Sequence, residues 1–182
     1  GDGSPVFNGP ATDPGDPTPT AWPFFTNDSI VSSPVVGDLN RNGVPAVIFG
    51  QDYSGGYDHR SGNTFNRGGV LRVLGLNGRH LPGFPKGNLE QTLGSSPVLV
   101  DLDHDGFYEI IHGSGGDLST VGDSPQEQII GQLVYAWRRD GSSFKPNASG
   151  KFADTLSRSI GAFAVGDIDN DGSPELVIAT AI

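Results

Sequence analysis

Ser95-Ser96-Pro97-Val98-Leu99-Val100-Asp101-Leu102-Asp103-His104-Asp105-Gly106 decides the fold, because the same frame occurs twice more in the chain. Upstream it reads Ser32-Ser33-Pro34-Val35-Val36-Gly37-Asp38-Leu39-Asn40-Arg41-Asn42-Gly43, and downstream Gly161-Ala162-Phe163-Ala164-Val165-Gly166-Asp167-Ile168-Asp169-Asn170-Asp171-Gly172. The leading aspartates, Asp38, Asp101 and Asp167, stand 63 and 66 residues apart. A period of that length has room for a four-stranded sheet and one extended loop.

The remainder of the unit repeats as well. Each acidic segment is followed by a short apolar run: Ala46-Val47-Ile48-Phe49, Ile110-Ile111 and Leu176-Val177-Ile178-Ala179. Short runs rich in β-branched residues and bounded by Gly predict buried strands. Val70–Leu74 and Gln132–Trp137 predict a third strand in two of the units, closing at Asn77-Gly78 and Asp140-Gly141. Such dipeptides favour two-residue hairpin turns with positive φ. Pro82-Gly83-Phe84-Pro85 and Phe144-Lys145-Pro146 predict a fourth strand at a sheet edge, where proline's missing N–H does no harm. The expected division is a partial repeat with a Pro-rich arm over 1–31, repeats over 32–94 and 95–158, and the start of another over 159–182. The fold class expected is all-β, with blades of four antiparallel strands in about three repeat units, forming a partial or assembled propeller.

Composition agrees with a turn-rich β protein and excludes several functions. Gly and Pro number 28 and 14 of 182 residues, spread among apolar segments. With no Cys there are no disulfides, no thiolate metal sites and no cysteine nucleophile. The net charge of -10 disfavours nucleic acid and anionic membranes as partners, and no apolar run is long enough for a membrane span. The opening Gly and the lack of Met suggest a trimmed product. Gly1-Asp2-Gly3-Ser4-Pro5-Val6-Phe7 parallels Asn170–Leu176, which suggests a whole number of units taken from a longer array.

Asp-x-Asp-x-Asp-Gly-x-x-Glu places carboxylates at alternate positions of a tight loop, with Gly at the sharp turn. A hard cation taking six or more oxygens makes such crowding favourable, and calcium suits it better than magnesium, which keeps its waters. The expected ligands are Asp101, Asp103, Asp105, the Phe107 carbonyl and Glu109 in one loop. In the next they are Asp167, Asp169, Asp171, the Ser173 carbonyl and Glu175. The first loop offers Asp38, Asn40, Asn42 and the Val44 carbonyl, but Ala46 stands at the ninth position. It is expected to bind more weakly, or to be held by hydrogen bonds alone. His112 and Ile178 at the twelfth positions, with strands as flanks, exclude an EF-hand.

From Asp101 to Glu109 and Asp167 to Glu175 the chain resembles the calcium loops of FG-GAP repeats, as in the integrin alpha-chain β-propeller and the related bacterial VCBS-type repeats. The resemblance extends over most of Trp22 to Ile182. It implies four-stranded blades, a calcium loop between the first two strands, an extracellular or cell-surface location and a role in adhesion or recognition. Three units are fewer than a closed ring needs. The expected partners are therefore further propeller repeats or other copies of the chain, with a protein or glycan ligand.

Polar loops over 51–68 and 113–130 carry Tyr53, Tyr57, His59, Arg60 and Phe65, suited to sugar stacking or protein docking, or forming a plain surface insertion. His112-Gly113-Ser114-Gly115-Gly116 has the look of an oxyanion loop, but no Gly-x-Ser-x-Gly elbow accompanies it. His59, His80 and His104 show no site-like spacing, and Trp22, Phe84, Trp137 and Phe144 are expected in the core. Asn27 and Asn147 lie in sequons. The function expected is a non-enzymatic, calcium-binding extracellular repeat protein in adhesion, recognition or self-assembly. The alternative is an accessory or carbohydrate-binding module of a larger secreted hydrolase or lyase.

Overall fold

Apolar, β-branched runs broken by Gly, Asn and Pro build strands and turns, and the described residues contain no helix. The computed structural model describes residues 24, 26, 30–53, 56–58, 62–65, 68–88, 95–115, 133–146, 148–155 and 161–180. The architecture is all-β with antiparallel pairing throughout. The described residues form twelve strands: β1 Val35–Gly37, β2 Ala46–Tyr53, β3 Gly56–Asp58, β4 Asn63–Phe65, β5 Gly68–Leu74, β6 Lys86–Asn88, β7 Val98–Val100, β8 Glu109–Gly113, β9 Leu133–Trp137, β10 Lys151–Asp154, β11 Phe163–Gly166 and β12 Glu175–Ile178.

One four-stranded sheet has the order β1-β2-β5-β6 and a second β10-β9-β8-β7, the same succession in the next unit. β11 and β12 pair as the first two strands of a third. The first strands of successive units meet, β1 against β7 and β7 against β11. The core lies between sheets. Leu39, Ile48, Leu71, Val73 and Phe84 of the first pack with Ile110, Tyr135 and Trp137 of the second. The alternate residues Ile111, Val134 and Ala136 turn to the other face, against Phe163 and Leu176 of the third. Strand periodicity thus buries both faces of the middle sheet, which is why β8 reads as an unbroken buried run.

Ser-Ser-Pro has a distinct use at each hydroxyl. Ser32 Oγ donates to the Gly50 carbonyl at 2.8 Å, and Ser95 Oγ accepts from the Gly113 N–H at 2.6 Å, one unit on. The second serine links units: the Ser33 N–H donates to Ser96 Oγ at 3.0 Å, a bond between repeat-equivalent residues.

Three expectations are corrected. The turns at Asn77-Gly78 and Asp140-Gly141 are not two-residue primed turns. The Gly78 N–H donates to Gly75 O and the Gly141 N–H to Arg138 O, both at 2.9 Å, and positive φ is confined to the two glycines, at 70° and 78°. Each is therefore a type I turn closed by a left-handed Gly. Asn77 and Asp140 instead accept backbone N–H bonds from Arg79 and Ser142. The edge strands begin after the prolines, at Lys86 and Lys151: each unit first makes an isolated bridge, Leu74 with His80 and Trp137 with Ser143, and continuous pairing resumes only there. Finally, the stretch 51–68 is not one long loop: β2 continues to Tyr53 and β3 and β4 form a hairpin on it.

Trp137, Phe84 and Phe144 pack in the interior as expected. Trp22, Asn27, His59, Arg60, Gly116, Asn147, the Pro-rich arm and 116–130 lie outside the described residues.

Candidate metal centre

Each acidic loop joins the first strand of a unit to its second, and all three close in the same way. The Gly N–H at position six donates to the Oδ2 atom of the leading aspartate: Gly43 to Asp38 at 2.6 Å, Gly106 to Asp101 at 3.0 Å and Gly172 to Asp167 at 3.0 Å. The fifth residue accepts from the seventh N–H, as Asn42 from Val44, Asp105 from Phe107 and Asp171 from Ser173. These glycines have φ of 81°, 92° and 92°, which a side chain disfavours. Position four is left-handed too, at Arg41, His104 and Asn170.

The ninth-position acid completes two of the loops. Glu109 Oε2 accepts from the Leu102 N–H at 2.9 Å, and Glu175 Oε2 from the Ile168 N–H at 2.6 Å. Ligand oxygens of Asp101, Asp103 and Glu109 lie within 4.8 Å of one another, and so do those of Asp167, Asp169 and Glu175. Asp105 and Asp171 border these clusters through the turn bonds just described. Glu109 is 1% exposed, whereas Glu175 is half-exposed, since β12 has no further strand beside it among the described residues. Burial pushes the Glu109 carboxyl above its usual range, against the pull of the Leu102 N–H.

Asp101 Oδ1 is buried and has no hydrogen-bond partner. A buried carboxylate oxygen left bare is costly, and in an all-oxygen donor set it fits a hard divalent cation. The Asp101, Asp103 and Glu109 carboxylates would hold such an ion, with Asp105 and the Phe107 carbonyl as flanking donors.

The first loop differs as its composition predicts. It has one carboxylate, Asp38, which accepts from the backbone of Asn40, Asn42 and Gly43. Desolvation raises its pKa, but these N–H groups together with that of Arg41 outweigh it and hold the group below the ordinary value. These hydrogen bonds close the loop, and Asn40 Oδ1 also accepts from Arg139 at 3.2 Å.

Three arginines at this site are absent from the sequence expectations. Arg138 follows β9 and donates to Asp103 at 2.8 Å, with Glu109 and Asp105 at 3.6 and 3.7 Å. Its guanidinium holds Asp103 below the usual carboxylate range. Arg41 reaches Asp101 at 3.9 Å, and Arg139 lies over the Phe107 ring at 3.9 Å. The signal for two of them was a basic pair, Arg138-Arg139, at a strand end in an acidic chain.

Among the described residues the histidines form no metal cluster. His112 is buried, accepts from Trp137 Nε1 at 3.2 Å and stacks on Tyr135. His80 touches Arg72, which is itself buried against Gln51 and Phe24. His104 is a turn residue of the second loop. No family model, curated protein or solved structure matches the chain.

Proposed function

We infer that the chain is a calcium-binding, non-enzymatic repeat protein of the cell exterior, acting in adhesion, recognition or surface self-assembly. The observation that carries this reading is the recurrence, one unit apart, of two loops with three carboxylates each within 4.8 Å, one of them containing a bare buried oxygen. Calcium is favoured over magnesium because the protein supplies most of the oxygens itself. Extracellular calcium modules work at millimolar calcium, which supports reading these loops as those of a protein outside the cell.

The four-stranded sheets are read as propeller blades. The meeting of β1 with β7 and β7 with β11 supports this, since first strands then line a common axis, as does face-to-face sheet packing. Further repeats or other copies of the chain would complete the ring, and head-to-tail pairing of unit ends is the geometry that extends or closes such arrays.

Calcium at about a hundredfold its dissociation constant adds about 2.7 kcal/mol per filled site. Scanning calorimetry is expected to show a higher Tm in calcium than in chelator, with magnesium giving a smaller shift. Asp169→Ala removes part of the difference, and Asp101→Ala with Asp169→Ala removes most of it. A calcium-independent Tm in the unaltered protein would overturn the assignment.

A further inference from the structure

The acids of the second loop are met by cations of the protein itself. Arg138 meets three of its carboxylates, and Arg41 approaches a fourth. The position matching Arg138 in the first unit is Gly75, beside a loop that has only one carboxylate to neutralise.

We propose that Arg138 is a tethered cation that occupies the second loop in place of a metal and weakens calcium binding there. Resting on the calcium reading above, the inference gives that loop a built-in competitor. The second loop fills only when calcium displaces the guanidinium from Asp103 and Glu109.

The geometry favours exchange over joint occupancy. Arg138 uses the oxygens of Asp103 and Glu109, two of the three groups that cluster for a metal. A guanidinium and a divalent cation on the same oxygens repel each other and compete for lone pairs. The guanidinium also has somewhere to go. A cleft of about 270 Å³ lies beside Glu109 and Arg138, and Arg138 already lies over the Phe144 ring at 5.0 Å. That contact is made by the guanidinium itself, so the head can leave the loop's oxygens and stay on the ring face. Without calcium the same residue offsets the mutual repulsion of the loop's acids.

The test is calcium titration by isothermal calorimetry on the full chain, with the third loop silenced by Asp167→Asn and Asp169→Asn. In that background Arg138→Gln is expected to tighten the remaining site about tenfold, the scale of one ion pair with a buried partner. Arg138→Lys, which keeps a cation at the site, is expected to stay near the parent. In chelator, Arg138→Gln is expected to lower the Tm. If the silenced background fails to fold, a two-site fit to the unaltered chain and its Arg138→Gln variant gives the same answer: one site tightens and the other does not. Binding in Arg138→Gln where the parent shows none also supports the proposal. Measurable parental binding that Arg138→Gln leaves unchanged or weakens overturns it while leaving the calcium reading intact. No binding in either protein, in both designs, overturns both.

Discussion

Gly83→Ala is expected to lower the unfolding free energy by about 4 kcal/mol, the sum of a left-handed backbone penalty and a steric clash that neither side can relieve. Gly83 has φ +84°, and a Cβ there would overlap the Asp140 carbonyl, with its carbon at 2.7 Å and Gly141 Cα at 3.1 Å. These are backbone atoms of the following unit's turn. Gly141 meets the Gly83 backbone in the same way, at 2.8 and 2.9 Å from its carbonyl carbon and Cα. Gly43→Ala isolates the conformational part, since φ is +81° but nothing lies within 4 Å. That variant is expected to cost about 1 kcal/mol. Urea denaturation of both proteins decides the matter, and equal losses would mean that the units do not approach at Gly83. Because Gly83 and Gly141 share one contact, their double variant is expected to lose less than the two single losses added together.

Acidification is expected to remove about 3 kcal/mol through His112 alone. Complete burial depresses its folded-state pKa to about 4, against a small opposing effect of the Gly113 carbonyl. The unfolded chain binds this proton near pH 6.5. Stability from this source is therefore whole above about pH 6.5 and declines as the pH falls toward 4, because only the unfolded state takes up the proton in that interval. The repeat suggests the control, since Phe49 is the matching residue one unit earlier. His112→Phe is expected to be less stable at pH 7 by about 1–2 kcal/mol, the Trp137 N–H having lost its acceptor. Between pH 6.5 and 4 it is expected to decline less steeply than the parent. Parallel stability curves for the two proteins would contradict this role for His112.

The acidic loops were legible because their chemistry is local. A turn, its Gly and its acids fall within nine residues, and the turn bonds run between neighbours. Buried strands β2, β5, β8 and β9 were legible for a similar reason, as apolar runs that need no partner to be recognised. The β3–β4 hairpin escaped notice because Gly56-Tyr57-Asp58 and Asn63-Thr64-Phe65 have no apolar alternation, and only pairing makes them strands. Arg138 was invisible in its role because Asp103 lies 35 residues away, so the ion pair exists only once β8 and β9 are paired. The turn types were misread since Asn-Gly suits either a primed turn or a type I turn with a left-handed Gly, and strand register selects between them.

The bond from Ser33 to Ser96 joins a residue to its own counterpart one period later, so it has a direction: the first unit gives through its amide and the second receives through its hydroxyl. A joint of that kind makes the molecule a nearest-neighbour chain in the Ising sense, where stability is a property of couplings between adjacent units as much as of the units themselves. In such a chain cooperativity is graded by position, and an interior unit coupled on both sides is the last to melt.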